Sequence, residues 1–499
     1  MKSFRFGVGA AALATIAACA TSDDRRSGAE PDVDRADGGG ASLPDSPKDG
    51  GDAVDPIEPK ELERCSSDGW CVTKLPDVDL DLRDIHPFEA RAFAVAESIT
   101  LGIQFLEWEK ATDAWRYIGE GGQNQFDRGK YAGDMWAASE NEVYFTLAPA
   151  FVYHGIRPDP SSPFTWRVAR LDAPEAGDAG APAHDPGRVW AANVAAKRYD
   201  PTKPPYDYFA PSLGVDGVPW GEVYAWYGPT LFRHTVAQNG DDQWVVEHTL
   251  TDAEHPDDEF HIQSIAGGAA DDFWIGGVRS RVTDDGVRER ACPLAVQRRA
   301  DGYHHFLDHV VNPTGDPTNL LSNLCDARPG AMRLLARLEV PGYDFVLEYE
   351  YGDAGWMRSL RHIAPNTVVA LNGANNLVYL QWDEEMPLAR VNGIEHAPSP
   401  IEDLSLRYNA LWTGEDGAWV AGNGLMLSFD YAPTNWSRGV GILNSGTAGA
   451  NVMQATTFTL SSIARNGVPL GAPLHQVRGT SNSNLWAIGY RHAFHRTKP

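Results

Sequence analysis

His304, His305, Asp308 and His309 form the best candidate set of metal-ligating residue types in this sequence, with His305 and His309 four apart and a carboxylate between. On a helix that spacing would bring two imidazoles and a carboxylate to one ion. Here Asp301-Gly302 marks a turn that opens an alternating run, and on a strand neighbouring side chains face opposite ways. The expectation is therefore exposed strand histidines. His304, His305 and His309 stand as weak metal candidates, and no metal or other cofactor is expected. His255, Asp257, Asp258, Glu259 and His261 read as a solvated loop. Asp77, Asp79 and Asp81 alternate like calcium ligands, but lack the glycine turn and closing Glu of a calcium-binding helix–loop–helix. Nucleophile elbows, phosphate loops, dinucleotide fingerprints and His-Glu-x-x-His are absent, so no catalytic residue is assigned. Carboxylate pairs for sugar hydrolysis discriminate nothing among 68 acidic residues.

Two further sets carry chemistry of another kind. Cys65, Cys71, Cys292 and Cys325 remain once Cys19 is set aside, and four cysteines in an oxidising compartment suggest two bridges. Three pairings are open. Cys65–Cys71 and Cys292–Cys325 are preferred because each joins nearest neighbours in the chain. Trp108, Trp115, Trp220, Trp356, Trp412 and Trp436 lie outside the hairpin centres described below. Trp220 and Trp412, beside Pro219 and Gly414, are the candidates to stack on a ligand; burial in the core is the alternative.

The elements that position these residues repeat. Met135-Trp136-Ala137, Phe273-Trp274-Ile275-Gly276, Ala418-Trp419-Val420-Ala421-Gly422 and Leu485-Trp486-Ala487-Ile488-Gly489 each follow a turn of Asp, Asn or Gly. Weaker copies centre on Phe93, Tyr224 and Val368. Each unit reads as turn, β-branched or aromatic strand, turn and alternating strand, which is hairpin chemistry. Such self-similarity predicts an all-β fold, a β-propeller of about seven four-stranded blades, with eight as the near alternative. The mean step from Phe93 to Trp486 is about 65 residues, against ~40–50 for ordinary propeller repeats. Insertions or degenerate blades must therefore occupy the wide gaps, with Arg188 to Ala192 and Tyr343 to Leu347 as candidates. The chain ends on two strands without an outer one, while Asp68-Gly69-Trp70-Cys71-Val72 stands alone before the first blade. Pairing these ends would complete the last blade and leave no open edge.

The run from Cys65 through Trp70-Cys71 to Leu75-Pro76, with the tryptophan phrases after it, resembles the tryptophan-repeat β-propeller lipoproteins of Gram-negative cell envelopes. The likeness covers residues 65–499 and implies fold and location, without an activity. It departs from the pattern where Phe93 and Val368 replace the tryptophan.

The N-terminus fits that resemblance. Lys2 and Arg5 precede an apolar run too short for a bilayer, which takes ~20 residues, as in a secretory signal. Ile16-Ala17-Ala18-Cys19 resembles a lipobox, which implies cleavage before Cys19, lipidation of its sulfur and membrane attachment; Ala20 favours the outer membrane by family analogy. Residues 1–18 are read as signal peptide, 19–63 as a disordered acidic tether and 64–499 as the propeller. Thirteen acids and five bases in residues 20–63 give the tether a charge of 5 − 13 = −8 and too few apolar groups to fold. From −26 overall, loss of Lys2 and Arg5 leaves −28, and the propeller then carries about −20. That charge repels polyanions, so no nucleic-acid partner is expected. The expected function is a monomeric, non-enzymatic platform for an envelope protein or glycan, on the periplasmic or the extracellular face. A glycan-acting hydrolase or lyase and an outer-membrane assembly scaffold are the alternatives.

Overall fold

A computed structural model describes residues 63–497, apart from 125–130, 172–187, 191–208, 283–288, 313–324, 340–345, 351–354, 356, 374, 397–407, 416, 430–451, 454, 465–469 and 471. Cys19, the residues read as a signal peptide, those read as a tether up to residue 62, Trp356 and Trp436 lie outside them. The described residues are strands and turns, with no helix long and apolar enough to cross a membrane.

Seven four-stranded antiparallel blades make a β-propeller. Their inner strands are Asp81–Pro87, Ala132–Ser139, Leu213–Gly217, Glu259–Ala269, Met357–Ala364, Tyr408–Gly414 and Leu474–Ser481, which define blades 1 to 7. Each inner strand neighbours the next around the ring, and that of blade 7 returns to blade 1. Blade 7 is closed as expected: Trp70–Val72 pairs antiparallel with His492–Arg496, with Trp70 opposite Arg496 and Val72 opposite Phe494. Trp70 is fully buried, and its indole N–H donates to Ser461 Oγ at 3.0 Å in blade 6.

The second strands explain the repeat. Their equivalent wedge-filling residues are Phe93, Tyr144, Tyr224, Trp274, Val369, Trp419 and Trp486, third in each strand except Tyr224, which is second. Each packs forward into the cluster shared with the following blade, while the residues before and after it pack backward. The core is thus seven wedges between blades, and a large ring buries the most area in a wedge. Two details of the sequence reading shift. Trp136 lies on the inner strand of blade 2, over Gly217 of blade 3, where any Cβ would strike the indole. Tyr144 takes the equivalent place in that blade. In blade 5 the equivalent residue is Val369, one step beyond Val368.

Among the described residues the wide gaps hold no extra blade. Arg188–Trp190 pairs there with Phe209–Pro211 as a small separate ribbon. Leu335–Glu339 and Val346–Glu350 form a hairpin whose first strand lies parallel to the outer strand of blade 5. Both preferred disulfides are present, Cys65–Cys71 and Cys292–Cys325. The first braces the closing strand. The second joins the third strand of blade 4 to a fifth strand, Cys325–Ala327.

Candidate functional site

Inner strands hold their side chains close to the ring axis, and here they place unlike charges together. Blade 1 contributes Asp84, blade 2 Asp134, blade 3 Asp216, blade 5 Arg361 and blade 7 Arg478. Asp84 is fully buried and ties three blades. It accepts from Ile85 N at 2.8 Å, Met135 N at 2.9 Å and Gln476 Nε2 at 3.0 Å, with Arg478 Nη1 at 3.6 Å. Arg478 Nη1 also donates to the Met135 carbonyl at 3.2 Å. Asp216 Oδ1 accepts from Gly217 N at 3.0 Å, and Arg361 Nη1 donates to Leu360 O at 3.1 Å. A β-bulge between Leu82 and Asp84 and another between Ala132 and Met135 interrupt the strand alternation beside Asp84 and Asp134.

The charges disturb one another. Burial, then the negative charge of Asp84, holds the Asp134 carboxyl well above the usual carboxylate range. Burial likewise raises Asp216. Burial and the nearby Arg478 lower Arg361 to about 10. Burial also acts to lower Arg478, but Asp84, Asp216 and Asp134 outweigh it, so the net direction is upward. Beside them, His86 is pushed down to about 3 by burial and by Arg478. Asp134 and Asp216 are half-buried as whole residues. A carboxyl group that resists ionising can donate a proton, and two guanidiniums can bind an oxyanion or a hydroxyl-rich ligand.

The other candidates fall elsewhere. His304, His305 and His309 share the outer strand Gly302–Val311 of blade 4 but separate partners hold them. His304 Nε2 meets Asp301 at 2.7 Å, His305 Nδ1 meets Asp308 at 2.9 Å, and His309 Nε2 lies 3.3 Å from Met332 O. They do not form a common ligand set. His309 is fully buried, unlike an exposed strand histidine, because it faces the sheet interior. The expected solvated loop is also partly interior: Asp258 and His261 are buried, and Asp258 pairs with Arg279 at 3.2 Å and Arg281 at 2.7 Å. Asp77, Asp79 and Asp81 disperse to Tyr117, to Ser98 and Thr100, and to Arg83 and His475.

Trp412 is an interior residue, which corrects its reading as a ligand-stacking candidate. It sits on the inner strand of blade 6, 8% exposed, in the wedge against blade 7, with its N–H donated to Gly479 O at 3.0 Å. Trp220 is half-buried against Phe273, and its N–H donates to Glu222 Oε2 at 2.8 Å. Asp252, Glu254 and His255 approach one another, but Arg279 and Arg328 pair with the acids at 2.6–3.0 Å and supply the positive charge a metal would bring.

No protein-family model matches this chain, and no curated protein matches it either. Solved structures similar to it include virginiamycin B lyase from Staphylococcus aureus, with 10% identity, a TM-score of 0.42, and 84% of this chain and 97% of that one covered. YCF48 from Cyanidioschyzon merolae is 10% identical, with a TM-score of 0.43 and coverage of 86% and 99%. The WD40 propeller domain of Doa1 is 9% identical, with a TM-score of 0.38 and coverage of 86% and 98%. At such scores these likenesses bear on neither activity nor ligand, and the fold rests on the strand pairing itself.

Proposed function

We propose that this chain is a lipid-anchored β-propeller of the cell envelope that binds a protein or glycan, without turning it over, at the polar mouth of its central channel. The supporting observation is the set of five charged side chains contributed by five blades. Asp84, Asp134, Asp216, Arg361 and Arg478 act on one another around the axis. Keeping such groups together costs desolvation, and a ligand that supplies hydrogen bonds would recover part of it. The two disulfides agree with an oxidising, extracytoplasmic compartment. Anchoring through Cys19 and a place at the outer membrane belong to the same proposal. The test is binding of the purified full chain to envelope proteins and polysaccharides. Saturable binding that Arg361→Gln weakens at least tenfold is expected; the absence of any saturable ligand would defeat the reading.

A second reading, a glycan-acting hydrolase or lyase, draws on Asp134 alone. A carboxyl group whose pKa is pushed up by burial and by the neighbouring charge of Asp84 is the arrangement that general acid catalysis needs. Turnover of any glycan in a panel, abolished by Asp134→Asn, would favour this reading over the first.

A further inference from the structure

Between the outer parts of blades 2 and 3, one carboxylate stands between two imidazoles. Asp242 Oδ2 lies 2.7 Å from His154 Nδ1, and Asp242 Oδ1 lies 3.1 Å from His234 Nε2. His154 is on the third strand of blade 2, Phe151–Ile156. His234 and Asp242 are on the third and fourth strands of blade 3, Thr230–Val236 and Asp242–Thr249. The three ligand atoms lie within 4.8 Å of one another. Zinc needs such nitrogen and oxygen donors at ~2.0–2.2 Å, so a small inward movement of these side chains would close them on one ion.

What surrounds the triad fits a metal better than a plain hydrogen-bonded cluster. The far nitrogen of His154, Nε2, meets Glu142 Oε1 at 3.2 Å, and Glu142 Oε1 also accepts from Tyr144 Oη at 2.6 Å. A carboxylate on the remote N–H is how metal-bound histidines are fixed in tautomer and orientation. Tyr144 stacks flat on His154, centroids 4.1 Å apart and planes 10° apart, and the His234 ring packs on Trp244 at 5.0 Å. Both imidazoles are thereby held ready before any ion arrives. His154 and Asp242 are 5–6% exposed at the side chain, and His234 is 13% exposed. Arg167 is the competing cation, 3.7 Å from Asp242 Oδ1, but its side chain is 49% exposed and can swing into solvent.

We propose that His154 Nδ1, His234 Nε2 and Asp242 bind one divalent transition-metal ion of the zinc class, with Glu142 positioning His154 from behind. Calcium and magnesium are disfavoured, because hard cations take oxygen ligands and two of these three donors are nitrogen. Three protein ligands leave a fourth position for water or a ligand atom. The ion would bridge blades 2 and 3.

The test is calorimetric titration of the chelator-treated full chain with zinc sulfate in excess magnesium, repeated with cobalt(II) while the visible spectrum is recorded. One tight event per chain is expected, with a rise in Tm and cobalt bands of a nitrogen-containing four-coordinate site. His234→Gln should abolish the event, Glu142→Gln should weaken it 10–100-fold, and the double variant His304→Gln/His305→Gln should leave it intact. If His234→Gln does not fold, Asp242→Asn reads the same loss. Zinc binding that survives both substitutions, or no tight event in the unaltered chain, overturns the proposal.

Discussion

Trp486 and His495 lie face to face, ring centroids 4.2 Å apart and planes 8° from parallel, across the two C-terminal strands of blade 7. His495 Nε2 meets Asn484 Oδ1 at 2.8 Å, and burial, with Lys110 and Arg64 nearby, lowers its pKa to about 4. The fold therefore prefers the neutral ring. Protonation favours the unfolded chain, where a histidine titrates near 6.5. The stabilisation is whole above about pH 6.5 and is lost as pH falls towards 4, a difference of about 3 kcal/mol. His495→Phe keeps the stack without the charge and should move the acid-unfolding midpoint to lower pH. Coincident midpoints by near-UV circular dichroism would refute this.

Ring closure should be the weakest place to cut. Trp70→Ala removes a fully buried indole and its bond to Ser461, so a loss of about 3–5 kcal/mol is expected. Deleting the last twenty residues should cost more, because it removes both strands that Trp70–Val72 needs. Urea unfolding of each variant reads the difference. An unchanged melting temperature in the truncated chain would be incompatible with the closed ring.

The two bridges should differ in weight. Cys292 and Cys325 are 33 apart in sequence, against 6 for Cys65 and Cys71. Chain-entropy reasoning assigns about 4 kcal/mol to the longer loop and about 2 kcal/mol to the shorter. Cys292→Ala/Cys325→Ala should therefore lower thermal stability more than Cys65→Ala/Cys71→Ala, as calorimetry would show. The reverse order would mean that bracing the closing strand matters more than loop length.

In the channel, two aspartates should respond in opposite directions. Asp134 binds its proton more tightly when folded, so its contribution is present at low pH and is lost as pH rises through the raised folded value. Asp134→Asn should thus stabilise the protein at pH 8 and change little at pH 4. Asp84 accepts two backbone N–H groups and the Gln476 amide, which an asparagine cannot fully replace. Asp84→Asn should cost about 3 kcal/mol, in part by removing the first of the carboxylates that offset the buried charge of Arg478. Melting curves of both variants at both pH values would check the signs.

Cys19→Ser should release the full chain from the membrane fraction, if lipidation holds it there. Membrane fractionation of the variant unchanged from that of the parent would remove the anchor from the proposed function.

The architecture was readable because wedge packing asks the same thing of every blade. An aromatic at the wedge-facing position near the start of the second strand recurs from Phe93 to Trp486, and only Val369 breaks it. The phrase around Trp136 misled because indole and small residues fit an inner strand beside Gly217 as well as a second strand. Closure was readable from a strand count, since Trp70–Val72 lacked a neighbour and blade 7 lacked an edge. The channel charges were not. Asp84, Asp134 and Asp216 look like turn or edge residues in so acidic a chain, and only the ring brings them near Arg361 and Arg478. His154, His234 and Asp242 escaped for the same reason: no local spacing joins residues on adjacent blades. Trp412 looked like a loop aromatic because Gly414 suggested a turn, yet it lies within the inner strand of blade 6.

The strand Trp70–Val72 is made long before its partner His492–Arg496. During synthesis the circle stays open until His492–Arg496 has emerged, with an unsheltered indole at one lip. Closure is thus timed by that strand. A helper that shields Trp70 in the interval would govern the yield of native protein more than the strength of any single blade.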